Sequence, residues 1–223
     1  MQLELRQVHV PPGQQLLLKD INWQQFEAIL SELGENRSSR LSYSQGTLEI
    51  MTPLLEHEKN KSILGSIVIF LLEELQMDYE PSASTTFKNE NMKAGVEPDE
   101  SFYIASRLSI MGKEKIDLTI DPPPDLAIEI DITSRTSLDN YEVLRVPELW
   151  RFKKEGMLEI YILREGKYVE SSISPTFSYL TNLREMIIQC LQQSKTVGTS
   201  SALREFKTKV REQLSKLKQE SDR

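Results

Sequence analysis

The sequence predicts an α/β fold in which strands and helices form one domain and a further helix extends it at the C-terminus. Apolar residues recur at helical spacing over 55–77 and over 202–221, whereas residues 125–132 alternate like a buried strand. The chain has 223 residues, 39% hydrophobic and 27% charged, which is enough for one domain with a good core and a helical extension.

The first half of the chain is predicted to begin irregularly, over residues 1–19, and then to alternate helices and strands. Asp20 or Asn22 would cap the first helix, Gly34 would end it, and Gln45-Gly46 would turn a hairpin. The predicted elements, in chain order, are a helix over 23–33, strands over 40–43 and 47–51, a helix over 55–77, and strands around 84–87 and 101–105.

The second half is predicted to contain the remaining strands and then to become helical. Its predicted elements are a strand over 125–132, a short helix within 134–144, strands over 148–152, 158–163 and 168–172, a helix over 180–193, a polar hinge over 195–201 and a helix over 202–221. The domain prediction is therefore an N-terminal segment and helix (1–39), a central domain (40–193) and a charged amphipathic helix (202–223).

Composition limits the classes of function. The net charge is −7, with 27 basic and 34 acidic residues, so the surplus of positive charge typical of a DNA-binding module is absent. A nuclease remains possible, because it can hold phosphate through a metal and one local patch. One cysteine excludes an intrachain disulfide, and with no secretion signal the expected location is the cytoplasm. The longest apolar run, 63–72, is too short to span a membrane, so no membrane contact is expected.

Acidic residues fall where strands are expected. Asp99 ends the run Val96-Glu97-Pro98-Asp99, and Glu129 and Asp131 lie in the apolar strand 125–132. Side chains alternate along a strand, so Glu129 and Asp131 point the same way. Buried carboxylates are usually paired or hold a cation, which makes Asp99, Glu129 and Asp131 candidates for the acidic half of a divalent-metal site. The equal alternative is that Asp99 caps a turn and Glu129 forms one buried ion pair.

Two further residues are candidates for lining a cleft. His57 opens the long helix, although a surface histidine at a helix end is the commoner case, and Glu49 lies mid-strand, where a solvated position is slightly favoured. Serine–histidine–acid chemistry finds no support, because there are only two histidines and no Gly-x-Ser-x-Gly elbow. Glycine-rich phosphate loops and cysteine–histidine zinc spacings are also absent.

The C-terminal helix carries a stripe of apolar residues at spacings of three and four on an otherwise charged, locally basic segment. The stripe comprises Leu203, Phe206, Val210, Leu214 and Leu217. A lone helix of this length is marginal in water, so the stripe must be buried. It either folds back over the domain or pairs with a second chain, and we predict pairing, hence a homodimer. A pure assembly module is the third class of function to consider.

With these residues identified, the chain resembles the Uma2 family of restriction-type endonucleases, within the PD-(D/E)XK nuclease superfamily. The order of the blocks carries the resemblance, since each block alone is weak. The blocks are Leu48-Glu49-Ile50-Met51-Thr52-Pro53, Glu56-His57-Glu58, Glu97-Pro98-Asp99, the run 126–134, Val146-Pro147-Glu148-Leu149-Trp150-Arg151 and the run 161–168.

The resemblance implies a restriction-endonuclease-like mixed central sheet flanked by helices, often a dimer, with a site for Mg²⁺ or Mn²⁺. Asp99 would match the first aspartate of the superfamily and Glu129 its second acid. Asp131 stands where the superfamily pattern has lysine, as an outer-shell acid or second-metal ligand. In this family the lysine comes from the next helix, where this chain has Asn140, a weak water positioner, and Arg135 is the nearest cation in sequence.

The function expected on this basis is a metal-dependent endonuclease that hydrolyses phosphodiester bonds in DNA. Asp99 and Glu129 would bind the metal, Asp131 and Asn140 would assist, and Glu49 and His57 would line the cleft. The alternative is an inactive protein with the nuclease fold that binds nucleic acid or a protein partner. The missing lysine favours the alternative, whereas the retained Asp99 and Glu129 favour the enzyme.

Overall fold

The computed structural model describes residues 7–34, 37–132 and 138–221. The strands are β1 (Gln15–Leu18), β2 (Arg40–Ser44), β3 (Thr47–Met51), β4 (Glu80–Pro81), β5 (Phe87–Asn89), β6 (Ala94–Val96), β7 (Glu100–Tyr103), β8 (Leu126–Asp131), β9 (Glu148–Lys153), β10 (Leu158–Arg164) and β11 (Lys167–Ser171). The helices are α1 (Trp23–Leu33), α2 (Leu55–Glu74), α3 (Leu138–Leu144), α4 (Leu183–Val197) and α5 (Thr199–Ser221). The α/β prediction is confirmed, and the strands form two sheets.

The second and larger sheet is the mixed sheet. Its strand order is β11-β10-β9-β8-β7-β4, and the parallel pair β8–β9 stands among antiparallel pairs. Parallel neighbours need a crossover connection, which here includes α3. One face of the sheet, with Ile128 and Trp150 on it, packs in the main apolar core against α2, α4 and α5. The opposite face carries Glu129.

The first sheet is antiparallel, in the order β1-β3-β2-β6-β5. Its apolar face covers α1, whose Phe26 stacks on Tyr43 at a ring-centroid distance of 4.7 Å. Strand β1 lies in the segment predicted as irregular, and that prediction is wrong. Alternate residues of β1 are exposed, and its pairing with β3 holds it in place, so its own sequence gives a weak signal.

The predicted first helix and hairpin are confirmed. Asn22 caps α1, because its side chain accepts a hydrogen bond from the N–H of Gln25 at 2.9 Å and the Gln25 side chain accepts one from the N–H of Asn22. This reciprocal capping box fixes the start of the helix. Gly34 ends it with a φ of 68°, in the region that favours glycine.

The segment predicted as a polar hinge is mostly helical. Helix α4 continues to Val197, Gly198 adopts a φ of 85°, and α5 begins at Thr199. The predicted strand around 84–87 is displaced, since β5 begins at Phe87. The predicted helix within 134–144 is described only from Leu138, because residues 133–137 lie outside the described ranges.

Helix α5 packs back onto α2 and α4 of its own chain. Phe206 and Val210 are buried in the main core, and the Phe206 ring meets Phe70 edge-on at 6.3 Å. Leu203 and Leu214 pack against the same core. The prediction that this stripe pairs with a second chain is therefore wrong, because the stripe already has a partner within the chain.

Cys190 is buried in α4, and burial raises the pKa of its thiol to about 11, so it is a poor nucleophile at neutral pH. Among the described residues, no helix combines the length and apolar character needed to cross a membrane.

Candidate active site

Asp99 lies in the short segment that leads from the first sheet to the second, between β6 and β7. Its backbone N–H donates to the carbonyl of Ile128 at 3.0 Å, and its carboxylate oxygen Oδ2 accepts from the N–H of Ile130 at 2.8 Å. These two bonds fasten Asp99 to β8 on either side of Glu129. The side chain is buried, with 2% of the residue exposed.

Glu129 is in the middle of β8, and its side chain is on the face opposite the main apolar core. Its Oε1 accepts a hydrogen bond from the hydroxyl of Tyr141 in α3. Burial raises the pKa of Tyr141 well above its usual value, and the charges of Glu129 and Asp99 raise it further. The charges of both carboxylates thus disfavour ionisation of the Tyr141 hydroxyl, which remains a neutral donor. The structure therefore brings Asp99 and Glu129 close to the same side chain.

His57 reaches the same place from the first turn of α2. Its Nε2 lies 3.1 Å from Asp99 Oδ2 and its Nδ1 lies 3.4 Å from Glu58 Oε1. Neither ring nitrogen forms a hydrogen bond with another described residue. The residue is fully buried, so the interpretation of His57 as a surface histidine at a helix end is wrong.

Asn140 and Glu49 belong to a polar wall formed by the first sheet and α3. Nδ2 of Asn140 donates to Ser42 Oγ at 2.9 Å. Ser42 is opposite Glu49 across the β2–β3 pair, so the Ser42 and Glu49 side chains share a face of the first sheet. Arg40, two residues before Ser42, lies on that face too, and its Nε is 4.0 Å from Asp99 Oδ1. Glu49 is partly buried there.

Asp131 lies beside a different group of side chains. Its Oδ2 is 3.7 Å from Nε of Arg151, the residue opposite Glu129 in the parallel β8–β9 pair. The guanidinium of Arg151 also donates to Glu159 at 2.7 Å and to the hydroxyl of Tyr161 at 2.9 Å. Asp131 is thus next to a structural ion-pair cluster that adjoins the Asp99–Glu129 pair.

Several buried polar side-chain atoms of α2 and α3 have no hydrogen-bond partner among the described residues. They are both ring nitrogens of His57, Nδ2 of Asn60 and Oδ1 of Asn140. His57, Asn60 and Asn140 are 0%, 3% and 2% exposed. Unpaired buried polar atoms are costly, so water, an ion or a ligand is expected to complete their hydrogen bonds.

The side chains present decide which divalent cation they could hold. Within 7–34, 37–132 and 138–221, no group of three or more histidine, cysteine, aspartate or glutamate side chains could hold a metal ion. A zinc-type cage of protein ligands therefore does not fit these residues. Mg²⁺ needs only one or two carboxylates and takes its other ligands from water and phosphate, so two carboxylates are enough in number for this ion.

Two residues of this site, Tyr141 and Arg40, were not among the residues predicted from the sequence. Tyr141 has the pattern of a core aromatic residue, and Arg40 that of the first residue of a strand. The signal that could have found Tyr141 is its position directly after Asn140 on a short helix. Arg135, the nearest cation in sequence, is outside the described residues.

Comparison with known proteins adds three findings. The Uma2 family model, described as "Putative restriction endonuclease", matches residues 23–189. No curated protein matches the chain. Among solved structures, the chain is similar to a crystal structure from Anabaena variabilis ATCC 29413 described as "a putative nuclease belonging to DUF820", with 17% identity and a TM-score of 0.49, covering 67% of this chain and 83% of the other.

Proposed function

The chain belongs to the Uma2 family of nuclease-like proteins, and we propose that it is a Mg²⁺- or Mn²⁺-dependent endonuclease that hydrolyses phosphodiester bonds in DNA. The observation that carries the proposal is the placement of two buried carboxylates around one segment of β8, with Asp99 bonded to the N–H of the residue after Glu129. Buried carboxylates are usually paired with a positively charged group or coordinate a metal ion.

Asp99 and Glu129 would hold the metal. When bound, the metal would lower the pKa of a water ligand and neutralise charge on the phosphate. Tyr141 holds the Glu129 carboxylate in place through its hydroxyl. Oδ1 of Asn140 has no partner among the described residues and is an acceptor that can orient a water molecule, while Nδ2 of the same residue is held by Ser42. In the hydrolysis, the oxygen of a water molecule would bond to phosphorus while one phosphorus–oxygen bond to a sugar breaks, and the proton that the water loses would end on the departing sugar oxygen.

The experiment combines calorimetric titration of Mg²⁺ and Mn²⁺ with plasmid nicking. Wild-type protein should bind the cation and nick the plasmid, and Asp99→Asn should lose both. The matched control is Asp78→Asn, because Asp78 is an exposed carboxylate that pairs with Arg107 away from the site.

Two results would overturn the proposal. One is a wild-type protein that neither binds the cations nor nicks DNA, which favours the alternative of an inactive nuclease fold that binds nucleic acid or a protein. The other is nicking by Asp99→Asn at the wild-type rate, which would remove Asp99 from the site.

A further inference from the structure

Arg40, the first residue of β2, brings a positive charge to the edge of the candidate active site. Its Nε is 4.0 Å from Asp99 Oδ1, and 21% of its side chain is exposed, whereas only 3% of the Asp99 side chain is. Burial raises the pKa of Glu100, and the charges of Lys61 and Arg40 oppose that rise. The side chain of Arg40 is therefore close to the buried Asp99 carboxylate and is itself partly exposed to solvent.

The hydrogen-bonding capacity of Arg40 is largely uncommitted. A guanidinium has five N–H donors, and the contact that the Arg40 side chain makes with a charged group among the described residues, to Asp99, is long at 4.0 Å. Arg151, on the larger sheet, is different, because it donates twice to Glu159 and once to Tyr161. The donors of Arg40 are thus available to a ligand that enters from solvent.

The direction of the strand places Arg40 on the polar wall of the site. Arg40 and Ser42 are two residues apart and share a face of β2, and Ser42 is bonded to Asn140. A ligand that contacts this wall and the Asp99–Glu129 pair at once must offer oxygen atoms to a guanidinium and be compatible with a cation held by carboxylates. A phosphate group has both properties, because arginine binds phosphate through parallel N–H bonds and Mg²⁺ shares phosphate oxygens.

We propose that Arg40 binds a phosphate of the DNA backbone at the candidate active site. This inference rests on the proposed function, because it names the group that holds the substrate there. Arg40 supplies the charge that Asn140 cannot, and its planar fork fixes the phosphate beside the carboxylates.

The test measures binding of a short fluorescein-labelled DNA duplex by anisotropy in the presence of Ca²⁺, beside plasmid nicking in Mg²⁺. Arg40→Ala should weaken duplex binding about 10- to 100-fold, as expected for the loss of a charge-assisted contact. The duplex affinity of Arg40→Lys should lie between those of the wild type and Arg40→Ala, because lysine keeps the charge and lacks the planar fork of donors. The matched control is Arg107→Ala, which removes an arginine paired with Asp78 elsewhere and should bind within about twofold of wild type.

The outcomes separate this inference from the proposed function. Duplex binding that depends on Arg40, in a protein that does not nick, supports the inference and refutes the nuclease. Nicking and binding that are both unchanged in Arg40→Ala refute the inference and leave the nuclease standing. Equal weakening by Arg40→Ala and Arg107→Ala, or no binding by the wild type, also refutes it. If Arg40→Ala fails to fold, as judged by circular dichroism, Arg40→Gln replaces it with the same criteria.

Discussion

Glu97 and Asp99 are two residues apart on the segment that joins the sheets, and both are buried, yet their surroundings differ. Glu97 forms an ion pair with Arg37, accepts from the N–H of Leu41 at 3.0 Å and accepts from the hydroxyl of Thr86 at 2.6 Å. Asp99 accepts one hydrogen bond from backbone, at Ile130, and its contacts with His57 and Arg40 lack hydrogen-bond geometry or are long.

Burial alone does not identify a functional acid. Glu97 and Asp99 are 5% and 2% exposed, so their exposure is nearly the same. What differs is how completely the fold satisfies each carboxylate. Glu97 is held by a cation and two directed donors and so fastens the first sheet, whereas Asp99 retains capacity for a further partner. Four predictions test this difference between satisfied and unsatisfied polar groups.

The first prediction separates the two acids by stability. Glu97→Gln should lower the free energy of unfolding by about 3 kcal/mol, because it leaves the buried guanidinium of Arg37 without a counter-charge. Asp99→Asn should cost less than about 1 kcal/mol, because the amide oxygen can still accept from Ile130. Urea denaturation followed by circular dichroism measures both. Equal losses in the two variants would break the comparison.

The second prediction concerns the missing cation. Asn140→Lys should raise the nicking rate by up to about 10²- to 10³-fold, the range for one well-placed charge-stabilising group, because the side chain starts beside Tyr141 and the Glu129 carboxylate. The control is Asn182→Lys, at the exposed start of α4, which adds the same charge away from the site. An Asn140→Lys protein that binds the cation and gains no activity would show that the catalytic charge comes from elsewhere.

Much of the fold could be predicted from the sequence because its signals are local. The capped helix α1, the Gln45-Gly46 hairpin, and the strands from β8 to β11 all match the structure closely. The errors fall where pairing decides the structure. Strand β1 is held by β3, and β6 contains Gly95, which gives no strand signal of its own.

The candidate site was predictable where an acid interrupts an apolar strand, as at Glu129, since that pattern is unusual within one segment. Tyr141 and Arg40 lie 12 and 89 positions away from Glu129 in the chain and have ordinary patterns, so only the fold relates them to it. The sequence also could not show which surface buries the α5 stripe, because packing on the same chain and packing on a partner require the same spacing of apolar residues.

The third prediction concerns the residue that holds Glu129. Tyr141→Phe should destabilise the protein by about 1.5–3 kcal/mol, as expected for a hydrogen bond to a charged group. It should also weaken cation binding about 10- to 100-fold, because the carboxylate is no longer oriented. Tyr168→Phe is the control, since its hydroxyl donates to the neutral carbonyl of Val146 at 2.8 Å. Cation binding unchanged in Tyr141→Phe would contradict the prediction.

The fourth prediction has the smallest effect and tests the polar wall. Ser42→Ala removes the acceptor of Asn140 Nδ2 and should cost about 0.5–1.5 kcal/mol, the net worth of one neutral hydrogen bond. Because Oδ1 of Asn140 already has no partner among the described residues, the amide then loses its only such bond and its orientation, so the nicking rate should fall as well. Ser66→Ala is the matched control, because its hydroxyl donates to the backbone carbonyl of Ser62 within α2, and it should leave both quantities unchanged. A Ser42→Ala variant that loses stability and keeps its full nicking rate would show that Asn140, like Glu97, has a structural role. Asn140 would then not be part of the site that contains Asp99.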